Sequence, residues 1–221
     1  TAAAGSNITI TPEAALIRHD HLMSNVALAL LPQNLQSLEI DFGHLGIAPD
    51  PEPAESTISL LTRACVATLP KHLTSLVLVQ CPFLTRGPQL LGLSRNLTKL
   101  HLSPVKFDSA DLTQLPGTLT DLVLIKRRER HDEIAQGDAV SPWNMMSETA
   151  TISGDCLDYL PPKLTRLGLP FTNDLKAKDL RKLPQTLRHL QIAKLAEPRM
   201  TKHFPRGLIT YEYIDDYQFV N

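Results

Sequence analysis

The chain has 221 residues, of which 22 are Lys or Arg and 23 are Asp or Glu, for a formal net charge of −1. That near-neutral balance gives no general attraction to nucleic acid or to an anionic membrane surface. No apolar run approaches the ~18 residues that a membrane-spanning helix needs, and the length fits one domain or one elongated array.

Read in chain order, the opening segment Thr1-Ala-Ala-Ala-Gly-Ser6 is set aside from fold reasoning; it lacks an initiator Met, which points to a processed N-terminus or a piece of a longer chain. Asn7-Ile-Thr-Ile10 then reads as a short strand. Thr11-Pro12-Glu13 predicts a helix start, Thr as N-cap and Pro at the first helical position, with the helix running from about Pro12 to Ser24 over the open core of the first repeat.

From there one template recurs seven times: L-x-x-L-P-x-x-L-x-x-L-x-L. The first copy is Leu28, Leu31-Pro32, Leu35, Leu38 and Ile40, and the second is Val66, Leu69-Pro70, Leu73, Leu76 and Leu78. The third is Leu90, Leu93, Leu97, Leu100 and Leu102, with Ser94 in the Pro slot. Leu112, Leu115-Pro116, Leu119, Leu122 and Leu124 follow, then Leu157, Leu160-Pro161, Leu164, Leu167 and Leu169. The sixth is Leu180, Leu183-Pro184, Leu187, Leu190 and Ile192, and the seventh turns aromatic: Thr201, Phe204-Pro205, Leu208, Tyr211 and Tyr213. The last two apolar positions of each copy alternate with polar ones, the period of a strand with one buried face. Between strands, Ser109-Ala-Asp-Leu-Thr-Gln-Leu115-Pro116 predicts a short helix capped by Ser109 and stopped by Pro116; Lys176 to Pro184 repeats that logic. Single units cannot bury their Leu alone, so they must stack with parallel strands on one side. Helices are wider than strands, so the stack should curve with its sheet on the inside.

Strings such as Leu119-Thr-Asp-Leu122-Val-Leu124 resemble the strand segment of leucine-rich repeats, over roughly residues 26–214. The Leu-Pro before each strand, as in "LPGTLTDLVL" and "LPQTLRHLQI", resembles the repeats of bacterial effector proteins and of the amoebal FNIP type. Two departures stand out. The Asn that such repeats place after the strand is replaced by Gly43, Cys81 and Thr172 in three copies, and the Phe-Asn-x-Pro-Ile signature is absent. The resemblance implies an α/β fold: a right-handed solenoid with a curved parallel sheet on its concave side and short helices or 3-10 turns on the convex side. It also implies a non-enzymatic module that binds a partner protein on the concave face.

The expected organisation is an N-terminal strand-helix cap at 1–25, seven units at 26–214 and a short tail at 215–221. The residues before each Pro slot fall at 31, 69, 93, 115, 160, 183 and 204, so the steps are 38, 24, 22, 45, 23 and 21. The two long steps predict insertions at about 41–64, with the acidic Pro-rich run Ala48-Pro-Asp-Pro-Glu-Pro-Ala-Glu55, and at 126–151, with Lys126 to Arg130 and the single Trp143. The second insertion reads as a loop rather than a degenerate repeat, because Leu is almost absent between Ile125 and Leu157. Both should leave the same rim of the solenoid, where insertions often bind; plain tolerated loops are the alternative. Only eight residues follow the last strand, so the C-terminal edge is expected to meet a partner, a symmetry mate or further sequence.

No catalytic constellation, phosphate-binding loop, cofactor motif or metal-ligand spacing is present in the sequence. Cys65, Cys81 and Cys156 are an odd, scattered set, which fits a reducing compartment and a cytoplasmic protein; the effector resemblance implies instead secretion and action in a host cell. Asn7-Ile8-Thr9 and Asn96-Leu97-Thr98 read as chance sequons, and His19-Asp20-His21 as a solvated helix end, since i and i+2 do not share a helix face.

The concave face can be listed from the exposed strand positions in three columns. The first is Ser37, Ser75, Lys99, Asp121, Arg166, His189 and Thr210; the second is Glu39, Val77, His101, Val123, Gly168, Gln191 and Glu212. The third includes Asp41, Val79 and Ile125. Val77, Val79, Val123 and Ile125 are expected to form an exposed apolar patch beside His101, with Lys99, Asp121, Arg166 and Glu39 as its charged rim and His189 further along. Such patches mark interaction sites. The competing expectation is that an insertion folds back with Trp143 as plug. A structural subunit of a large assembly is the alternative function.

Overall fold

The computed structural model describes residues 7–10, 14–18, 31–41, 69–79, 90, 92–102, 109–124, 152–169, 175–192 and 198–213. They form one open nine-stranded sheet in strict chain order. Its strands are β1 (Asn7–Ile10), β2 (Ala14–Arg18), β3 (Ser37–Asp41), β4 (Ser75–Val79), β5 (Lys99–Leu102), β6 (Asp121–Leu124), β7 (Arg166–Leu169), β8 (His189–Ile192) and β9 (Thr210–Tyr213). From β2 to β9 every neighbouring pair is parallel. The chain is an α/β solenoid, and its seven template copies supply β3 to β9.

The N-terminus differs from the expectation. The helix expected from Pro12 to Ser24 gives way to β2 at Ala14–Arg18, which pairs antiparallel with β1 and parallel with β3. Ala15 and Ile17 stand in register with Leu38 and Ile40, so β2 carries the period-2 pattern of the repeats one step further. The physical reason is edge pairing. Strand β3 would otherwise end the sheet with a row of unpaired amides, and a strand satisfies them where a helix cannot.

Each unit enters its strand through the same turn. The amide of the Leu three residues after the Pro slot donates to the Pro carbonyl, as in Leu35 to Pro32 (3.1 Å), Leu119 to Pro116 (3.1 Å) and Leu187 to Pro184 (3.0 Å). Pro has no N–H to lose at this position, and its fixed φ stops the preceding helical turn. Ser94 keeps the geometry where Pro is missing: its hydroxyl accepts from the Asn96 amide (3.2 Å) and donates to the Lys71 carbonyl (2.7 Å) of the unit before.

Behind the sheet the Leu residues stack in continuous columns. Leu35, Leu97, Leu119, Leu164 and Leu187 are completely buried, as are Leu38, Leu76, Leu100, Leu122 and Leu167. Each such side chain removed from water contributes about 1.5–3 kcal/mol. The far layer is made of very short pieces. Helix α1 spans only Ser109–Leu112, so Ser109 is its first residue rather than its cap. The Lys176–Pro184 segment gives a 3-10 turn at Asp179–Lys182, and others lie at Gly154–Tyr159 and Pro198–His203. Steps of 21 to 24 residues leave no room for longer helices. Lys182 ties two of these turns together, its Nζ 2.7 Å from Asp158 Oδ2 and 3.6 Å from Asp155 Oδ1; those carboxylates raise its pKa, chiefly through the Asp158 hydrogen bond.

The seventh unit closes the stack less tightly. Phe204, Leu208 and Tyr211 pack against the core but are only half-buried, and Phe204 and Tyr211 meet with ring centroids 4.8 Å apart. Ile209 beside them is 72% exposed. Strand β6 pairs directly with β7, so the 45-residue step adds no strand between them. Both long segments, with Trp143, Ile125, Cys65 and Cys81, lie outside the described residues, as do His19 to His21 and the tail.

Candidate binding face of the sheet

In-register parallel pairing turns the exposed strand positions into side-chain rows. The first row runs Ser37, Ser75, Lys99, Asp121, Arg166, His189 and Thr210, each directly beside the next. The second runs Glu39, Val77, His101, Val123, Gly168, Gln191 and Glu212. Strands lie about 4.8 Å apart, so neighbours in a row touch. Of the third row, Asp41 and Val79 fall within strands β3 and β4 and are in register.

Charge is concentrated at the middle of this face. His101 Nε2 lies 3.0 Å from Asp121 Oδ1 across the β5–β6 step, and it donates when the carboxyl is ionised. Both side chains are mostly covered, at 14% and 22% exposure. Asp121 also sits between Lys99 and Arg166 in its row. Burial pushes the Asp121 pKa up, but the His101 hydrogen bond and the charges of His101, Arg166 and Lys99 together outweigh it and hold the carboxyl below its ordinary value. Toward the C-terminal end the face is polar: His189 Nδ1 and Thr210 Oγ1 are 2.7 Å apart, and Gln191 Nε2 donates to Glu212 Oε2 at 2.8 Å.

The expected apolar patch is smaller than the sequence suggested. Val77 and Val79 are half-buried on β4. Val123 is not an exposed anchor: only 4% of it reaches solvent. The cause is Gly168, its neighbour on β7. Without a side chain there, Val123 leans into the vacant slot, and a Cβ on Gly168 would lie 2.9 Å from Val123 Cγ1. Burial on β6 and β7 therefore breaks the simple alternation seen on β4 and β5. Ile125 and Trp143, the other members of the expected patch and its plug, lie outside the described residues. Lys99, His101, Asp121 and Arg166 are brought together, and His189 stands exposed one strand further on.

A second feature escaped the sequence reading. Thr74, Thr98, Thr120 and Thr165 occupy one slot, just before each strand, and each hydroxyl donates to the carbonyl of the same slot in the unit before, at 3.0–3.2 Å. Each of those carbonyls also accepts two backbone amides, as Thr98 O does from Thr120 (2.8 Å) and Asp121 (3.0 Å). The ladder locks neighbouring units on the strand-entry side. Its signal was legible as Leu-Thr in four copies of the template.

Among the described residues, no group of three or more His, Cys, Asp and Glu is placed to hold a metal ion, and no helix is long and apolar enough to cross a membrane. No family model and no curated protein matches the chain. Among solved structures, the leucine-rich repeat-containing protein LegL7 of Legionella pneumophila is similar over 86% of this chain and 59% of its own, at 16% identity and a TM-score of 0.47. An internalin (inlF) of Listeria monocytogenes is similar over 91% of this chain and 66% of its own, at 14% identity and a TM-score of 0.31, so the chain spans less than two thirds of either neighbour.

Proposed function

We propose that the chain is a protein-interaction module that holds a partner protein on the open face of its sheet. One observation carries this reading: Lys99, His101, Asp121 and Arg166 are held together on rigid in-register strands, beside the half-buried Val77 and Val79. A buried Leu core fixes their spacing, so a partner meets a preorganised surface. Charges of both signs around a small apolar area favour a polar, selective contact over a greasy one. Action in the cytoplasm, or in a host cell after secretion, is part of the same proposal and rests on cysteine usage and on the effector-like Leu-Pro repeats.

The test is co-purification from the cell of origin with the wild-type chain and with Val77→Glu/Arg166→Glu. Both positions are solvent-accessible, so the variant should stay folded, with a small loss of stability because Arg166→Glu sets a like charge beside Asp121. A partner retained by the wild type and lost by the variant supports the face; a partner retained equally by both rules it out. Val123→Glu is unsuitable, because it would bury a charge.

A role as a structural subunit is the second reading. It is favoured by the half-buried Phe204, Leu208 and Tyr211 beside the exposed Ile209 on the last unit. Loss of assembly on trimming after Tyr213, with the sheet face left intact, would support it.

A further inference from the structure

The turns that lead into the seven repeat strands, residues 32–36, 70–74, 94–98, 116–120, 161–165, 184–188 and 205–209, contain Lys71, Arg95, Lys163, Arg188 and Arg206 and no Asp or Glu. Acidic residues number 23 in a chain of 221, so their absence from all seven turns is segregation of charge, not a shortage of acid. All five cations are exposed, as is His72. Parallel register places these turns side by side on the rim where the strands begin. Adjacent units are about 4.8 Å apart, so Lys71 and Arg95 are neighbours, and Arg95 and Lys163 stand about 10 Å apart.

A groove of about 520 Å³ opens between Arg95 and Lys163. Leu90, Leu93, Leu115 and Pro116 make the apolar part of its lining, and Gln114 and Thr118 add polar atoms. It exists because the fourth unit has Gly117 where its neighbours have Arg95 and Pro162: a Cβ on Gly117 would meet nothing within 4 Å. Two cations therefore flank a partly apolar slot beside turns that contain no Asp or Glu.

We propose that this rim is a docking surface for an acidic polypeptide segment, which seats an apolar side chain in the groove and sets carboxylates against Arg95 and Lys163. The surface is separate from the sheet face. Charge complementarity names the occupant, and the apolar lining selects polypeptide over nucleic acid. A phosphate backbone offers nothing to the Leu side of the groove, and the turns contain no Phe, Tyr or Trp on which an unpaired base could stack, His72 being their one imidazole.

The experiment is fluorescence anisotropy with the whole chain and a labelled peptide of alternating Glu and Leu, beside a Lys-Leu peptide and a short DNA duplex. The Glu-Leu peptide alone should bind, more weakly as salt rises. Arg95→Glu/Lys163→Glu should weaken it about tenfold or more, while Lys178→Glu, an exposed change beyond the turns, should not. Gly117→Gln keeps every charge and fills the slot, and it too should weaken the peptide. Thermal melts coincident with the wild type show that the variants fold. The proposal is overturned if the Glu-Leu peptide does not bind, if either rim variant binds it as tightly as the wild type, or if the duplex is preferred.

Discussion

Val123 and Gly168 are complementary halves of one packing contact: the isopropyl group of β6 fills the space that the missing side chain of β7 leaves open. A methyl group on Gly168 would come within 2.9 Å of Val123 Cγ1 and 3.3 Å of Cγ2. Val is β-branched and restricted at χ1, so it cannot easily swing aside. Gly168→Ala should therefore cost about 1–3 kcal/mol by overpacking. In Val123→Ala/Gly168→Ala the two costs should fail to add, because the second change relieves the clash of the first. Urea denaturation of the four members of that cycle measures the coupling; additive costs would show that the two side chains do not compete for one space.

That pair also marks where sequence reading stopped. The template gives seven strands, their order and the membership of the first two rows, because a period of 2 and a constant Leu-Pro spacing admit one register. Burial within a row was not legible from the same pattern. It depends on the volume of the neighbour across the sheet, so Val77 stays half-exposed beside His101 while Val123 is covered beside Gly168. At the N-terminus, Thr11-Pro12 carried a true helix-start signal. The demand of β3 for a pairing partner overrode it, since a bare sheet edge leaves several amides unpaired at once.

Asp121 should make stability depend on pH in a definite direction. Its folded pKa is depressed, so the unfolded chain binds more protons around the titration. Its contribution is present above the unfolded value and is lost as pH falls through the folded one. The groups facing it are His101, Lys99 and Arg166. For a partly screened cluster of this kind the contribution is about 0.5–1 kcal/mol. Asp121→Asn should thus be less stable than wild type near neutral pH, and the two should converge in acid. A gap that persists unchanged below the carboxylate range would mean that packing, not charge, is lost.

Gly154 and Asp179 give a steeper test on the opposite side of the core. Asp179 is 3% exposed, and its Oδ2 accepts the Lys176 amide at 2.9 Å while Oδ1 faces no donor. A Cβ on Gly154 would overlap the Asp179 carboxyl group. The carboxyl cannot retreat without abandoning the Lys176 amide, so Gly154→Ala should cost at least about 2 kcal/mol. Asp179→Ala placed beside it should recover part of that loss. A melt of Gly154→Ala within a degree or so of wild type would show that the two turns have slack that the packing does not suggest.

The threonine ladder should yield small, equal losses. In Thr120→Val the Thr98 carbonyl loses a hydroxyl donor but keeps the amides of Thr120 and Asp121. Nothing is left unsatisfied, so the cost should lie near the lower end for a hydrogen bond, about 0.5 kcal/mol. Val matches the shape of Thr and suits a strand entrance, which limits the loss further. Thr74→Val, Thr98→Val and Thr165→Val should behave alike, because each hydroxyl makes the same bond one unit along. A combined variant should then cost close to the sum of the singles, the expected behaviour of a stack in which each unit touches only its neighbours. A combined loss far above that sum, measured by urea denaturation, would show instead that the ladder acts as one cooperative rail along the sheet.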